Sequence, residues 1–239
     1  AQARMYEQLL AANRFGRRPP EFLLTHPLTE SRISDSRARS SRYPPRDYAP
    51  SLNYQIMRAR VIGHYAQDKG ALVTDFEQNL KNSTNSFNEE ANRYSLAVAY
   101  WENGQYAEAD WTLAPLLAKY PNLISLVVTQ AEIYTKQNEA GRAIQYLERH
   151  LEINPGNHAL AMAHVDALLA SRSYNAAAEI MEQHTKTRES DHHLWYQLAE
   201  IWGQAGNISK VHQARAKYFT LISDFRNARQ QLQFALQIE

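Results

Sequence analysis

From residue 51 onward, apolar side chains recur three and four positions apart, the spacing of a helix that hides one face. The stripes are interrupted by turn residues at a fixed interval. Gly104, Asn138, Arg172 and Gly206 stand 34 residues apart and read as one turn repeated. Small residues keep the same interval around it: Ala97, Ala131, Val165 and Ala199 before the turn, Ala109, Ala143, Ala177 and Val211 after it. Tyr100, Tyr134, Leu168 and Trp202 form a column of larger side chains, and Pro121 and Pro155 close the first two units. A weaker pair of stripes (Ala59, Ile62, Gly63 and Ala66, then Phe76 and Leu80) surrounds Gly70, one interval before Gly104. Ser86-x-x-Glu89 predicts a capping box that opens the following helix. Phe225, Ala228, Leu232 and Ala235 predict a last helix over 225–238. Pro115 falls inside a predicted helix, removes one backbone hydrogen bond and predicts a local bend, not a break.

A helix–turn–helix unit of 34 residues has the tetratricopeptide period. The predicted fold is therefore all-α, a tetratricopeptide-repeat solenoid of antiparallel helix pairs. Each unit rests on the next, and the array binds partners without chemistry of its own. The small columns let the two backbones of a pair approach, and the large column fills the space above them. Upstream of the repeats, Met5, Leu9 and Ala12 predict a helix over 2–14 that Gly16 and Pro19-Pro20 terminate. Pro27 predicts a further helix opening near Thr29. The run from Tyr43 to Pro50 carries Pro44, Pro45 and Pro50 and predicts an extended, semi-rigid linker.

A second stripe on the first helix of each unit is predicted to face the hollow side of the solenoid. It comprises Tyr94, Val98 and Trp101, then Val128, Glu132 and Thr135, then Met162, Asp166 and Leu169, then Tyr196 and Glu200. The expected groove is apolar and aromatic at one end and carries one carboxylate per unit. Acids in that column argue against a clamp for a partner's C-terminal carboxylate, which needs cationic or amide side chains there.

Charge divides the chain. Residues 1–60 hold eleven arginines, no lysine and five acids, a net of +6, and the remainder nets −5, which suggests two modules. No RNA-binding aromatic motif lies among the arginines, so nucleic acid is not an expected partner. No run of about 20 apolar residues is present to span a bilayer. Cysteine is absent, which excludes disulfides, thiol catalysis and Cys-ligated zinc. The chain contains no H-E-x-x-H, G-x-S-x-G, Walker loop or G-x-G-x-x-G, so no catalytic residue is expected in it. The nine histidines are scattered; His150 and His184 share a repeat position, which points to packing. The chain opens on Ala1-Gln2-Ala3-Arg4 and enters a helical pattern directly, which reads as a piece of something longer.

The segment Phe22 to Ile33, with its Thr25-His26-Pro27-Leu28-Thr29-Glu30-Ser31-Arg32 core, resembles the end of an HtpX-like zinc metallopeptidase domain. The order of peptidase tail, proline linker and repeats is similar to that of the beta-barrel assembly-enhancing proteases. That resemblance implies four segments: 1–43 as the tail of a peptidase domain, 44–55 as a proline-rich linker, 56–85 as a degenerate capping repeat and 86–239 as repeats with a terminal helix. It further implies a periplasmic zinc metalloendopeptidase as the parent protein. This chain would be its non-catalytic repeat region, recruiting outer-membrane barrel proteins and their assembly machinery for quality control. The zinc ligands would precede residue 1, so no cofactor is expected within the chain. His26 matches the histidine of the family's His-Pro motif, and the resemblance implies that its imidazole approaches the metal and restrains activity. The alternative from the residues alone is a stand-alone tetratricopeptide scaffold.

Overall fold

The computed structural model describes residues 5–7, 30–44 and 49–238. Among them the secondary structure is helical. The chain divides into two compact units, residues 1–50 and 51–239. In the first, residues 5–7 are helical and α1 spans Glu30–Ser40. Arg37 and Arg39 sit in the last turn of α1, where cations meet the negative end of the helix dipole. Arg37 pairs with Glu7, and Arg39 with Asp35 at 3.0 Å. His26 and most of the predicted 2–14 helix lie outside the described residues.

The second unit contains α2 (Leu52–Tyr65), α3 (Lys69–Lys81), α4 (Ser86–Glu102), α5 (Tyr106–Lys119), α6 (Ile124–Lys136) and α7 (Ala140–Ile153). It continues with α8 (His158–Ala170), α9 (Tyr174–Thr187), α10 (His192–Gln204), α11 (Ile208–Leu221) and α12 (Phe225–Ile238). Four helix pairs, α4–α5, α6–α7, α8–α9 and α10–α11, pack serially, and α12 packs on α11.

The four aligned turn residues all adopt the left-handed conformation, with φ of 80° at Gly104, 63° at Asn138, 59° at Arg172 and 77° at Gly206. Each ends a first helix in the same way. At Gly104 the amide of Gln105 donates to the carbonyl of Tyr100 at 2.8 Å, and the amide of Gly104 to that of Trp101 at 3.1 Å. The same two bonds recur around Asn138, Arg172 and Gly206 and satisfy carbonyls that a helix end leaves free. Arg172 holds this conformation despite its Cβ, which costs roughly 1–2 kcal/mol relative to glycine. The cost is outweighed by the packing that the reversal allows. The small columns are buried throughout: Ala97, Ala109, Ala143 and Ala177 are fully enclosed, as are Leu113, Leu147 and Met181 one turn on.

Three local expectations need correction. Gly70 is not the turn between the capping helices: residues 66–68 make it, and Gly70 lies in the first turn of α3 behind the N-cap Asp68, whose carboxylate accepts from Ala71 N at 2.9 Å. α2 and α3 are not a packed pair; each packs on α4 instead. The N-cap of α4 is Asn85, which accepts from Asn88 N at 2.9 Å, so Ser86 falls inside the helix and bonds Glu90. As expected, Pro115 does not break α5, and it lies on the exposed side of that helix.

Candidate functional site

α2 lies on the face of the repeats that the register assigns to the hollow side. The reason is compositional: Ile56, Ala59 and Gly63 make a narrow, small-residue stripe that admits the α4 backbone closely. A Cβ built on Gly63 would stand 2.7 Å from Cγ1 of Val98. Under this helix Tyr94 is 0 % exposed and Val98 2 %. The assignment of both to an open groove is therefore corrected: they belong to the core formed by α2, α4, α5 and α6.

Arg60 crosses from α2 to α6. Its two terminal nitrogens donate to the carboxylate of Glu132 at 2.7 and 2.9 Å, a forked pairing that matches the geometry of both groups. Nη1 also donates to the Thr129 hydroxyl at 3.0 Å. Thr129 itself donates to the Ser125 carbonyl at 2.9 Å, so the Tyr94 hydroxyl, 2.9 Å away, donates to Thr129. Burial alone opposes the Arg60 charge, but the bonds and field of Glu132 outweigh it and hold the guanidinium protonated. Burial likewise pushes the Tyr94 phenol above its ordinary range, against the nearby Arg60 charge. The Trp101 ring, half-buried, lies 6.0 Å from the Arg60 guanidinium, and its indole N–H has no hydrogen-bond partner among the described residues.

The next unit repeats the acid without the arginine. Asp166 stands 34 residues after Glu132 and has no hydrogen-bond or ion-pair partner among the described residues. Lost solvation, then repulsion from Glu132, push its carboxyl upward; the side chain still reaches solvent, which limits the push. Val128 and Met162 are half-buried beside it. A cleft of about 380 Å³ opens between Met57, Arg60, Ile124, Ser125, Val128 and Ala159. Farther along, Glu200 is exposed and pairs with Arg215 at 3.4 Å. Tyr196 is 49 % exposed and meets Tyr218 edge to face, centroids 5.5 Å apart. Thus Val128, Glu132, Met162 and Asp166 lie on α6 and α8, Tyr196 and Glu200 lie on α10 against Tyr218 and Arg215 of α11, and Tyr94 and Val98 are sealed beneath α2.

The sequence reading missed the seat of α2. Its one local signal was the small stripe Ala59–Gly63, with Arg60 counted only among the eleven arginines of residues 1–60. His184, read from its repeat position as a packing residue, is buried and has a specific partner. His158 Nδ1 lies 2.9 Å from His184 Nε2 with the ring planes only 18° apart, a direct imidazole–imidazole hydrogen bond between α8 and α9. His164 is buried on α8 with both ring nitrogens unpartnered, and its nearest acid, Glu148, is 3.9 Å away. Burial depresses the basicity of His150, His164 and His184; at His184 the His158 and Arg188 charges add to it, against Asp191. Depressed folded-state values mean that the unfolded chain binds protons first. This contribution is therefore full above the ordinary histidine pKa of about 6.5 and is lost as pH falls through the depressed values. Urea midpoints are expected to drop from pH 7.5 to pH 5, and His164→Leu is expected to flatten that slope. A slope that His164→Leu leaves unchanged contradicts the assignment to that ring. Among the described residues no group of three or more His, Asp or Glu is placed to hold a metal ion. No helix among them is long and apolar enough to cross a membrane.

The family described as ChAPs (Chs5p-Arf1p-binding proteins) matches residues 92–213. The Beta-barrel assembly-enhancing protease of Escherichia coli (strain K12) is 32 % identical over 217 residues, 90 % of this chain and 44 % of the relative. The protein of the same name from Yersinia pestis is 29 % identical over 221 residues, 92 % of this chain and 45 % of the relative. The chain thus spans less than half the length of the curated relatives it matches. Among solved structures, a thermophilic TPR protein of Thermus thermophilus superposes with a TM-score of 0.52 at 18 % identity, covering 78 % of this chain and 100 % of that one. A tetratricopeptide repeat protein from Parabacteroides merdae gives 0.50 at 15 % identity, covering 99 % and 93 %. At such identities the likeness establishes the helical-repeat fold alone.

Proposed function

We propose, for a chain that belongs through residues 92–213 to the ChAPs family and is a relative of the beta-barrel assembly-enhancing proteases through their C-terminal repeat part, a protein-binding role. In this reading it is the repeat region of a periplasmic zinc metalloendopeptidase and holds outer-membrane barrel precursors and their assembly machinery for quality control. The reading is supported by the residues that the 34-residue register assigns to the inner face of α6, α8 and α10, where Asp166 and Tyr196 are exposed and Val128 and Met162 half-buried. An exposed apolar and acidic face of this kind is where a repeat array receives another polypeptide.

Binding, not bond cleavage, is the task assigned to these residues. A segment held on the inner face is presented to a tethered peptidase domain at raised effective concentration. Zinc would be held by that peptidase domain, and His26, outside the described residues, is proposed as the regulatory ligand contributed from this chain.

The test is site-specific photo-cross-linking in cells. Probes at Val128, Met162 and Tyr196 are expected to capture barrel precursors, and a probe at Trp111, which is 78 % exposed, is expected not to. Equal capture at Trp111, or none at the three inner positions, would remove the basis for the reading.

A further inference from the structure

The chain carries its own example of a ligand for the inner face. α2 is held there by an apolar anchor, Ile56, fully buried, and by Arg60 four residues later, forked onto Glu132. One repeat on, the same face presents Asp166 in the column of Glu132 and Met162 in the column of Val128. Ala159, Met162 and Asp166 follow one another at helical spacing along α8, and Ser125, Val128 and Glu132 do so along α6. The apolar cleft of about 380 Å³ lies between these rows, beside Met57 and Arg60 of α2. Its floor is Ile124, Val128 and Ala159, and it is therefore suited to a large aliphatic or aromatic side chain.

We infer that the groove beside α2 receives a helical segment of a partner protein that bears an arginine one turn after a large apolar residue, the apolar side chain filling the cleft and the arginine pairing with Asp166. The occupant is specified by charge. Glu132 is already neutralised by Arg60, Glu200 by Arg215, and the in-register carboxylate between them has no cation. Guanidinium suits the position better than ammonium, because the fork seen at Glu132 needs two parallel donors. A second feature agrees with a docked cation: partial loss of solvation and then the nearby Glu132 push the Asp166 carboxyl upward, and an incoming positive charge offsets the repulsion from Glu132. The partner thus adds a helix beside α2 and extends the α2 pattern by one repeat.

This inference rests on the inner face being the partner surface, and its test is chosen to fail separately. The probe is a fluorescein-labelled synthetic peptide with the sequence of residues 51–66, titrated into the full chain at low salt and followed by anisotropy. Asp166→Asn is expected to weaken binding about tenfold, the loss of one charge-assisted pair. Replacing the peptide's arginine at the position of Arg60 by glutamine is expected to weaken it equally, and the two changes together no further. Asp166→Arg paired with glutamate at that peptide position is expected to restore binding. Glu200→Gln serves as the control and is expected to leave affinity unchanged. Affinity indifferent to Asp166→Asn, or a loss that follows Glu132→Gln instead, overturns the inference; so does absence of peptide binding. Cross-links to barrel precursors at Val128 and Met162 alongside any of those results would leave the proposed function standing and the arginine rule refuted. Peptide binding that obeys Asp166 without such cross-links would do the reverse.

Discussion

Tyr94→Ala is expected to lower the unfolding free energy by about 3–5 kcal/mol, the range for emptying a buried aromatic site. Tyr94 is 0 % exposed beneath α2, and its ring is enclosed by Ile56, Val98, Leu126 and their neighbours. Tyr94→Phe keeps the ring and removes only the hydroxyl. Thr129 retains its bonds to the Ser125 carbonyl and to Arg60, so that variant is expected to cost about 1 kcal/mol. Urea or guanidinium titration separates the two. A residue standing in an open groove behaves differently: its alanine variant stays within about 0.5 kcal/mol of the parent. A small Tyr94→Ala effect would therefore contradict the seat of α2 as well as the burial of the ring.

Gly63→Ala is the second substitution with a large expected effect, about 1–3 kcal/mol of destabilisation from overpacking. The added methyl meets Val98 Cγ1 at 2.7 Å, and Val98 is a short branched side chain fixed on α4 with no flexible end to retreat. Helix propensity works the other way, since alanine favours a helix by about 1 kcal/mol over glycine. A net loss therefore reports the collision. Val98→Ala should relieve it, so the double variant is expected to be more stable than the sum of the singles predicts. Strict additivity would show that α2 does not approach α4 so closely.

Much of the repeat architecture was legible in the sequence because it is periodic. The left-handed turns at Gly104, Asn138, Arg172 and Gly206 were found by their interval alone, although Arg172 is an unpromising residue for such a turn. The alanine columns followed from the same register and are buried as expected. What periodicity does not carry is a contact made once. Arg60 and Glu132 are 72 residues apart, and nothing in either local sequence names the other. The inner stripe was therefore read without the helix that covers its first third, and Tyr94 and Val98 were placed on the surface. The acid column falls into three states that its register does not distinguish: Glu132 paired with Arg60, Glu200 paired across α10 and α11, and Asp166 without an ion-pair partner among the described residues. The same limit explains the histidines. His164 stands in the column of Leu96 and Leu198, where an imidazole finds no partner, and the pairing of His158 with His184 depends on how two helix ends meet.

The two ends of the repeat array are not equivalent. At one, α2 and α3 both lie against α4 and take up its flanks. At the other, α12 leans on α11 alone and leaves Leu232 and Leu236 half or more exposed. A helix pair inserted ahead of α4 must first evict α2 and α3 from its flanks, so lengthening the array by duplication at that end carries a cost in lost packing.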